Sequence, residues 1–267
     1  MGNKVPNVLS IAGSDSSGGA GIQADLKTFS ALGCYGTTVI TALTAQNTLG
    51  VADIHAVPAV FVEKQLEAVL SDIGADAVKI GMLYSAEIIK VVESQLRKHK
   101  IKNIVLDTII TSQSGTRLLK EDALEEIKAL LMPLADVITP NLPEASFLLG
   151  HDLKNIKEMQ EGAKKLAQKS SSSILIKGGH INGNVCTDVL YLGKEDRIVL
   201  LKEDRIETTN NHGTGCTLSS AIASHLACGD GIENAVKKAK KYISEAIRAG
   251  VCYNVGKGNG PVRHFYR

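Results

Sequence analysis

Short runs of β-branched and aliphatic residues alternate, along nearly the whole chain, with stretches whose apolar residues recur every three or four positions. Val8–Ala12 is the first apolar run, and it enters a Gly/Ser loop at Gly13. Ile22, Leu26, Phe29 and Leu32 then follow at helical spacing, with Gly33 placed to stop the helix. Thr37–Leu43, rich in Thr, Val and Ile, predicts a strand. Phe61, Leu66, Val69, Leu70 and Ile73 predict an apolar helical face behind Pro58. Beyond it, Ala77–Ile80, Ile104–Asp107, Val137–Thr139 and Ser173–Lys177 predict strands. Ser85–His99, Glu121–Leu131, Pro143–Leu149 and Asn155–Gln168 predict the helices between them. Val185–Leu192 and Arg197–Lys202 predict a hairpin closed near Gly193 and Lys194, and the helices Thr214–Ala227 and Ile232–Gly250 come last.

Repeated β–α units imply a mostly parallel sheet with helices on both faces, a three-layer α/β/α architecture. No internal repeat or long linker interrupts the pattern; Ser170–Ser173 is a loop, so one domain over residues 1–267 is expected. In such folds ligands gather beyond the C-terminal ends of the strands, which singles out the residues just after each run.

Composition narrows the function classes. With 44% hydrophobic residues, the 267-residue chain is too apolar to be disordered. Its 30 basic and 28 acidic residues nearly cancel, so neither nucleic acid nor an anionic membrane is an obligatory partner. Without Trp, and with few other aromatics, a stacking platform for single strands is not expected. Five cysteines, Cys34, Cys186, Cys216, Cys228 and Cys252, include no C-x-x-C pair, which argues against a disulfide framework or structural zinc and fits a reducing compartment. No apolar stretch follows a basic leader, Pro6 stands where a myristoylation signal wants Ser or Thr, and no run is long enough to cross a bilayer. A soluble, cytoplasmic protein is expected.

The 25 glycines matter by position. Gly19-Ala20-Gly21-Ile22-Gln23-Ala24 matches the dinucleotide fingerprint formally, but a loop separates it from its strand and no acid lies between Asp25 and Asp53. No P-loop motif and no G-x-S-x-G elbow occur. What remains is Gly13–Gly21, a small-residue loop at a strand end that lets backbone approach a ligand closely. A second signal is His212-Gly213-Thr214-Gly215-Cys216-Thr217 ahead of a helical pattern. Free N–H groups at such a helix start form an anion site, and their field is expected to lower the Cys216 thiol pKa. The plain alternative is that Cys216 is a small apolar filler.

Asp107 and Glu144 each follow a strand end, and together could hold a hydrated Mg²⁺ beside phosphate oxygens; either could instead be a helix cap or a solvated charge. Lys177, ahead of Gly178-Gly179, could meet a phosphate or cap an exposed edge. An anion hole, an acid pair and a strand-end lysine point to phosphoryl transfer from a nucleotide.

These residues resemble a known family. Ala12-Gly-Ser-Asp-Ser-Ser-Gly-Gly-Ala-Gly-Ile-Gln-Ala-Asp-Leu-Lys27, Thr41-Ala-Leu-Thr-Ala-Gln-Asn-Thr48, Lys79-Ile-Gly-Met82, Thr139-Pro-Asn-Leu-Pro-Glu144, His212-Gly-Thr-Gly-Cys-Thr-Leu218 and Gly256-Lys-Gly-Asn-Gly-Pro-Val262 look like the hydroxymethylpyrimidine/phosphomethylpyrimidine kinases of thiamine biosynthesis, of the ribokinase-like superfamily. The resemblance covers essentially the whole chain and implies a homodimer. It also implies two ATP-dependent phosphorylations, first of 4-amino-5-hydroxymethyl-2-methylpyrimidine and then of its monophosphate. Carried onto this sequence, Gln46 would hydrogen-bond the aminopyrimidine and Met82 would line its pocket; by position, Gly13, Asp15, Gly18, Gly19 and Gly21 are assigned to the substrate loop. Glu144 belongs to an N-x-x-E magnesium motif, with Asp107 as its companion. Asp107, Thr139, Asn141 and Lys177 would serve the nucleotide, and Gly213, Thr214 and Gly215 the anion hole. Cys216 stands where many relatives carry an Asp base.

Thr108 replaces a Pro common in the family, and Gln113 replaces a loop lysine. Lys177, or the cluster Lys237, Lys238, Lys240 and Lys241, could compensate, and Lys240 is assigned near the nucleotide. The loops Gly13–Gly21 and Thr111–Thr116 are candidate lids. Alternative readings are a pyridoxine/pyridoxal kinase of the same subfamily, a pyrimidine-binding sensor without enzyme activity, and a cysteine hydrolase using Cys216. The amide of Gln46, both donor and acceptor, favours the aminopyrimidine.

Overall fold

Adjacent residues of the first strand bury into opposite layers: Leu9 and Ile11 pack on one side of the sheet, Val8 on the other. The same alternation recurs at Ile104, Val105 and Leu106 and at Ile174, Leu175 and Ile176. Strands covered on both faces must be apolar on both, which is why they read as continuous hydrophobic runs.

The structure, a computed structural model, describes residues 4–110, 122–170, 172–181 and 183–266. Gln113, the expected lid at 111–116, and residues 121 and 171 of the expected helix and loop lie outside them. The strands are β1 (Asn7–Asp15), β2 (Tyr35–Asn47), β3 (Gly50–Ala56), β4 (Ala77–Ile80), β5 (Ile104–Leu106), β6 (Val137–Ile138), β7 (Ser173–Ile176), β8 (Val185–Leu192) and β9 (Arg197–Asp204). They form one sheet in the order β3-β2-β1-β4-β5-β6-β7-β8-β9. The strands from β2 to β7 are mutually parallel, while β3, β8 and β9 add antiparallel edges. The helices are α1 (Gly21–Ala31), α2 (Ala59–Asp72), α3 (Ala86–Lys98), α4 (Ala123–Glu126), α5 (Leu142–Leu149), α6 (Ile156–Ser170), α7 (Thr214–Ala227) and α8 (Ile232–Gly250). One core layer holds Phe29, Leu218, Ile222, Val236 and Tyr242 of α1, α7 and α8; the other holds residues of α2 to α6, among them Leu66, Ile89, Leu124, Leu148 and Leu166. The mostly parallel three-layer α/β expectation therefore holds. Among the described residues no helix is long and apolar enough to cross a membrane.

After β1 the chain moves outward to β2 and β3, then returns to place β4 on the other side of β1. This reversal opens a crevice at the C-terminal ends of β1 and β4. The main differences from the sequence expectation are local. β1 continues through Asp15 rather than entering a loop at Gly13, and β3 was not anticipated because it is an edge strand with half of its residues exposed or nearly so. Among the described residues of the predicted helix at 121–131, four are α-helix, continuing as a π turn (Ile127–Leu131) and a 3₁₀ turn (Met132–Leu134) that carries Pro133. In α2 the buried face is Val62, Leu66 and Leu70, whereas Phe61 and Ile73 are exposed.

Candidate active site

A cleft of about 680 Å³ opens along the C-terminal edge of the sheet. Its wall takes Gly13 and Asp15 from β1, Gln46 from β2, Met82 after β4, Asp107 after β5, Asn141 and Glu144 after β6, Lys177 after β7, and Gly213–Cys216 from the start of α7. Parallel strands deliver these residues together although they span two hundred positions of sequence.

The first loop is built around Asp15. Its Oδ1 accepts the Ser17 amide (2.8 Å) and hydroxyl (2.7 Å), and its Oδ2 accepts the amides of Gly19 (3.1 Å) and Ala20 (2.7 Å). Burial resists ionisation, but His212 and these hydrogen bonds outweigh it and hold the carboxyl at about 2. An ionised carboxylate only accepts, so His212 Nε2, 2.9 Å from Oδ2, carries the proton. The same nitrogen lies 3.3 Å from Nε2 of Gln46, whose Oε1 is 3.1 Å from Thr44 Oγ1. Asp15 thus shapes the loop, and its oxygens are already engaged. Gly19, assigned to substrate, packs against the imidazole of His212, while Ala20 and Gly21 form the cleft wall beside it. Gly19 thus makes room for the ring of His212. Gly13 does face the cleft, and a Cβ there would come within 3.1 Å of Met82 Sδ.

α7 begins at Gly213, whose φ of 79° is left-handed and whose Cβ, if present, would collide with the Gly19 carbonyl. Only glycine meets both demands. The start of α1 reaches the same place, for the Gly21 amide hydrogen-bonds Cys216. Two helix N-termini therefore converge on one point of the cleft, an arrangement suited to an anion. Cys216 itself departs from expectation. Burial, helped by Asp25 and Asp107 and opposed by Lys79, pushes its thiol up to about 11. The cost of burying a thiolate exceeds the benefit of the helix end.

Opposite α7, Asp107 Oδ1 accepts from Lys177 Nζ (3.1 Å) and Thr139 Oγ1 (3.2 Å), and Oδ2 accepts from Ser219 Oγ (3.1 Å). Burial penalises its charge, yet Lys177 and Lys79 keep the carboxyl below its ordinary range. Thr139, expected at the nucleotide, is fully buried and reaches the cleft only through Asp107. Asn141 lines the cleft, but its side chain accepts the Glu144 amide at 2.8 Å, and Glu144 Oε2 accepts the Asn141 amide at 2.8 Å. The N-x-x-E segment is thus also the capping box of α5. Glu144 Oε2 takes a further bond from Thr108 at 3.3 Å, the residue that replaces proline. Burial, with the nearby charge of Asp107, raises Glu144 to about 7 against the pull of Lys177. Lys177 is no edge cap: it is largely buried and ion-paired. Lys240 lines the cleft but gives its ammonium to Asp188 at 2.6 Å, whose other oxygen accepts the Gly178 amide at 2.8 Å. Through Asp188 it braces the turn after β7.

Two groups escaped the sequence reading. One is the contact of His212 with Asp15 and Gln46. Lys79 and Asp25 form a fully buried pair (2.9 Å), with Asp25 also bonded by Ser10 and Ser220. Ser10 and Lys79 face each other in register on β1 and β4, and a polar residue inside each of two apolar strands was the available signal.

Residues 15–263 match the phosphomethylpyrimidine kinase family. The chain is 48% identical over 260 residues to the hydroxymethylpyrimidine/phosphomethylpyrimidine kinase of Rhizobium meliloti, covering 97% of each. It is 46% identical over 259 residues to the thiamine biosynthesis bifunctional protein of Geobacter sulfurreducens, covering 97% of this chain but 52% of that protein, so it spans about half the bifunctional relative. Among solved structures it resembles the ADP complex of Bacillus subtilis pyridoxal kinase, with a TM-score of 0.90, 36% identity and 98% of each chain covered.

Proposed function

The chain belongs to the phosphomethylpyrimidine kinase family, and on that premise we propose how its cleft divides the work. It is a kinase of thiamine biosynthesis acting on the hydroxymethylpyrimidine and its monophosphate. The observation that carries the assignment of roles is the convergence of Gln46 and Met82 with Cys216, Asp107, Glu144 and Lys177 on one cleft.

Gln46 and Met82 hold the pyrimidine, with the hydroxymethyl group directed toward Cys216. ATP lies across the ends of β5 to β7, its γ-phosphoryl group at the amides of Gly213–Cys216. The loose transition state of phosphoryl transfer asks chiefly for positioning and charge neutralisation, which these amides and Lys177 supply. Two carboxylates, one of them raised in part by the other's charge, suit a hydrated Mg²⁺ shared with phosphate oxygens. Asp107 and Glu144 would hold such an ion, which would neutralise phosphate charge, and Lys177 keeps Asp107 ionised.

In the first step the substrate hydroxyl attacks phosphorus and must lose its proton; Cys216 accepts it as the thiolate, a small fraction of molecules at neutral pH. In the second step the nucleophile is an already anionic phosphate oxygen, and no base is required. A cysteine-hydrolase role finds no support, because His212 directs Nε2 to Asp15 and Gln46. Homodimerisation belongs to the same reading and rests on family resemblance, whereas a cytoplasmic location rests on the scattered, unpaired pattern of the cysteines in the sequence.

The pyridoxal kinase likeness makes pyridoxal the rival substrate. Steady-state kinetics with both compounds tests the choice. The expected result is a higher kcat/KM for the hydroxymethylpyrimidine; a higher value for pyridoxal overturns it.

A further inference from the structure

At the end of the sheet remote from the cleft, two cysteines 194 residues apart in sequence bring their sulfurs to 4.0 Å. Cys34 is buried just after α1, and Cys228 is the exposed C-cap of α7. Both backbones are pinned, Cys34 N to Phe29 O at 2.9 Å and Cys228 N to Ser224 O at 3.0 Å, and the Cys34 thiol also points at Ser224 O (3.8 Å). The sulfurs are held close to van der Waals contact, against a disulfide bond length of about 2 Å.

We propose that Cys34 and Cys228 are a modification site, closing to a reversible disulfide when a peroxide reaches the exposed thiol. The two thiols have different parts. Cys228 is open to solvent, whereas burial and the neighbouring Cys228 push the Cys34 thiol up to about 12. Cys228 therefore reacts first: its sulfur attacks the peroxide O–O bond, giving a sulfenic acid and water or an alcohol. Cys34 sulfur then attacks that sulfenic sulfur and displaces the hydroxyl, which leaves as water with the Cys34 proton. Two thiols lose two electrons, and the peroxide gains them. Immediate capture by Cys34 protects Cys228 from over-oxidation. The cross-link joins the ends of α1 and α7 farthest from the cleft, about 20 Å along α7 from Gly213, so it fastens the two helices that build the anion site without touching it.

The test treats the reduced full chain with hydrogen peroxide at about one equivalent and follows mass, peptide map and melting. The expected product is lighter by about 2 Da, joins the peptides carrying Cys34 and Cys228, and reverts with dithiothreitol. Its Tm rises by about 5 °C or more, since the bond closes a very long loop, while kcat stays within about twofold. Cys34→Ser leaves a sulfenic acid on Cys228 that dimedone traps, and Cys228→Ser leaves Cys34 unmodified. Over-oxidation of Cys228 in the unaltered chain with Cys34 still a thiol overturns the proposal, as does a cross-link that uses Cys186 or Cys252 instead.

Discussion

His212 donates its Nε2 proton to Asp15 Oδ2 across 2.9 Å, and that bond joins the loop after β1 to the start of α7, which Gly213 opens one residue later. The same imidazole stands beside the Gln46 amide at 3.3 Å. In the proposed division of the cleft, substrate loop, substrate amide and phosphate site share this one side chain. His212→Ala is expected to raise KM for the pyrimidine about tenfold, the value of one buried hydrogen bond to a charged group, with ATP affinity changed less than twofold. Steady-state kinetics and nucleotide titration check this; an equal loss of both affinities would show a general collapse instead.

Glu144 sets a pH dependence. Below its ordinary value of 4.5 the carboxyl is protonated in both folded and unfolded chains. Between 4.5 and about 7 the unfolded chain releases the proton first, so stability falls, by up to about 3 kcal/mol, and levels off above 7. Glu144→Gln retains an acceptor for the Asn141 amide and removes that fall. Urea melts at pH 5 and pH 8 should show the variant gaining on the parent at pH 8, with phosphoryl transfer lowered about 100-fold.

Lys177 and Asp107 form a buried pair at 3.1 Å. Lys177→Met alone leaves the Asp107 charge buried, costing about 3–5 kcal/mol. Combining it with Asp107→Asn should restore most of the stability and none of the activity. Recovery of activity in the double variant would reduce both residues to structural parts.

Cys216, with its thiol near 11, is a base only as a minority thiolate. The first phosphorylation should therefore accelerate about tenfold per pH unit between pH 7 and 9 when chemistry limits the rate. Cys216→Ala should abolish that slope and slow the first step more than the second. Equal losses in both rates would remove the residue from the role of base.

The boundaries of α7 and α8 were legible because a Gly-x-Gly entry and a strong amphipathic pattern are local signals. Asp107, Glu144 and Lys177 were legible for a topological reason: parallel strands present their final residues to one edge. β3 was not, because an exposed edge strand carries no apolar pattern to distinguish it from a loop. His212 and Asp15 are 197 residues apart and Lys79 and Asp25 are 54 apart, so their pairing exists only after folding. Thr139 and Asn141 belonged to a recognisable motif, but their hydrogen bonds go to Asp107 and to the start of α5. The Cys216 pKa went the other way because a helix end is visible in sequence and burial is not.

In the proposed function one cleft phosphorylates the pyrimidine twice. Purified protein with ATP, Mg²⁺ and 4-amino-5-hydroxymethyl-2-methylpyrimidine, sampled over time with mono- and diphosphate resolved by chromatography, tests it directly. The monophosphate is expected to rise first and then to be consumed as the diphosphate accumulates. A reaction that stops at the monophosphate, or ATP turnover without a phosphorylated pyrimidine, would contradict it.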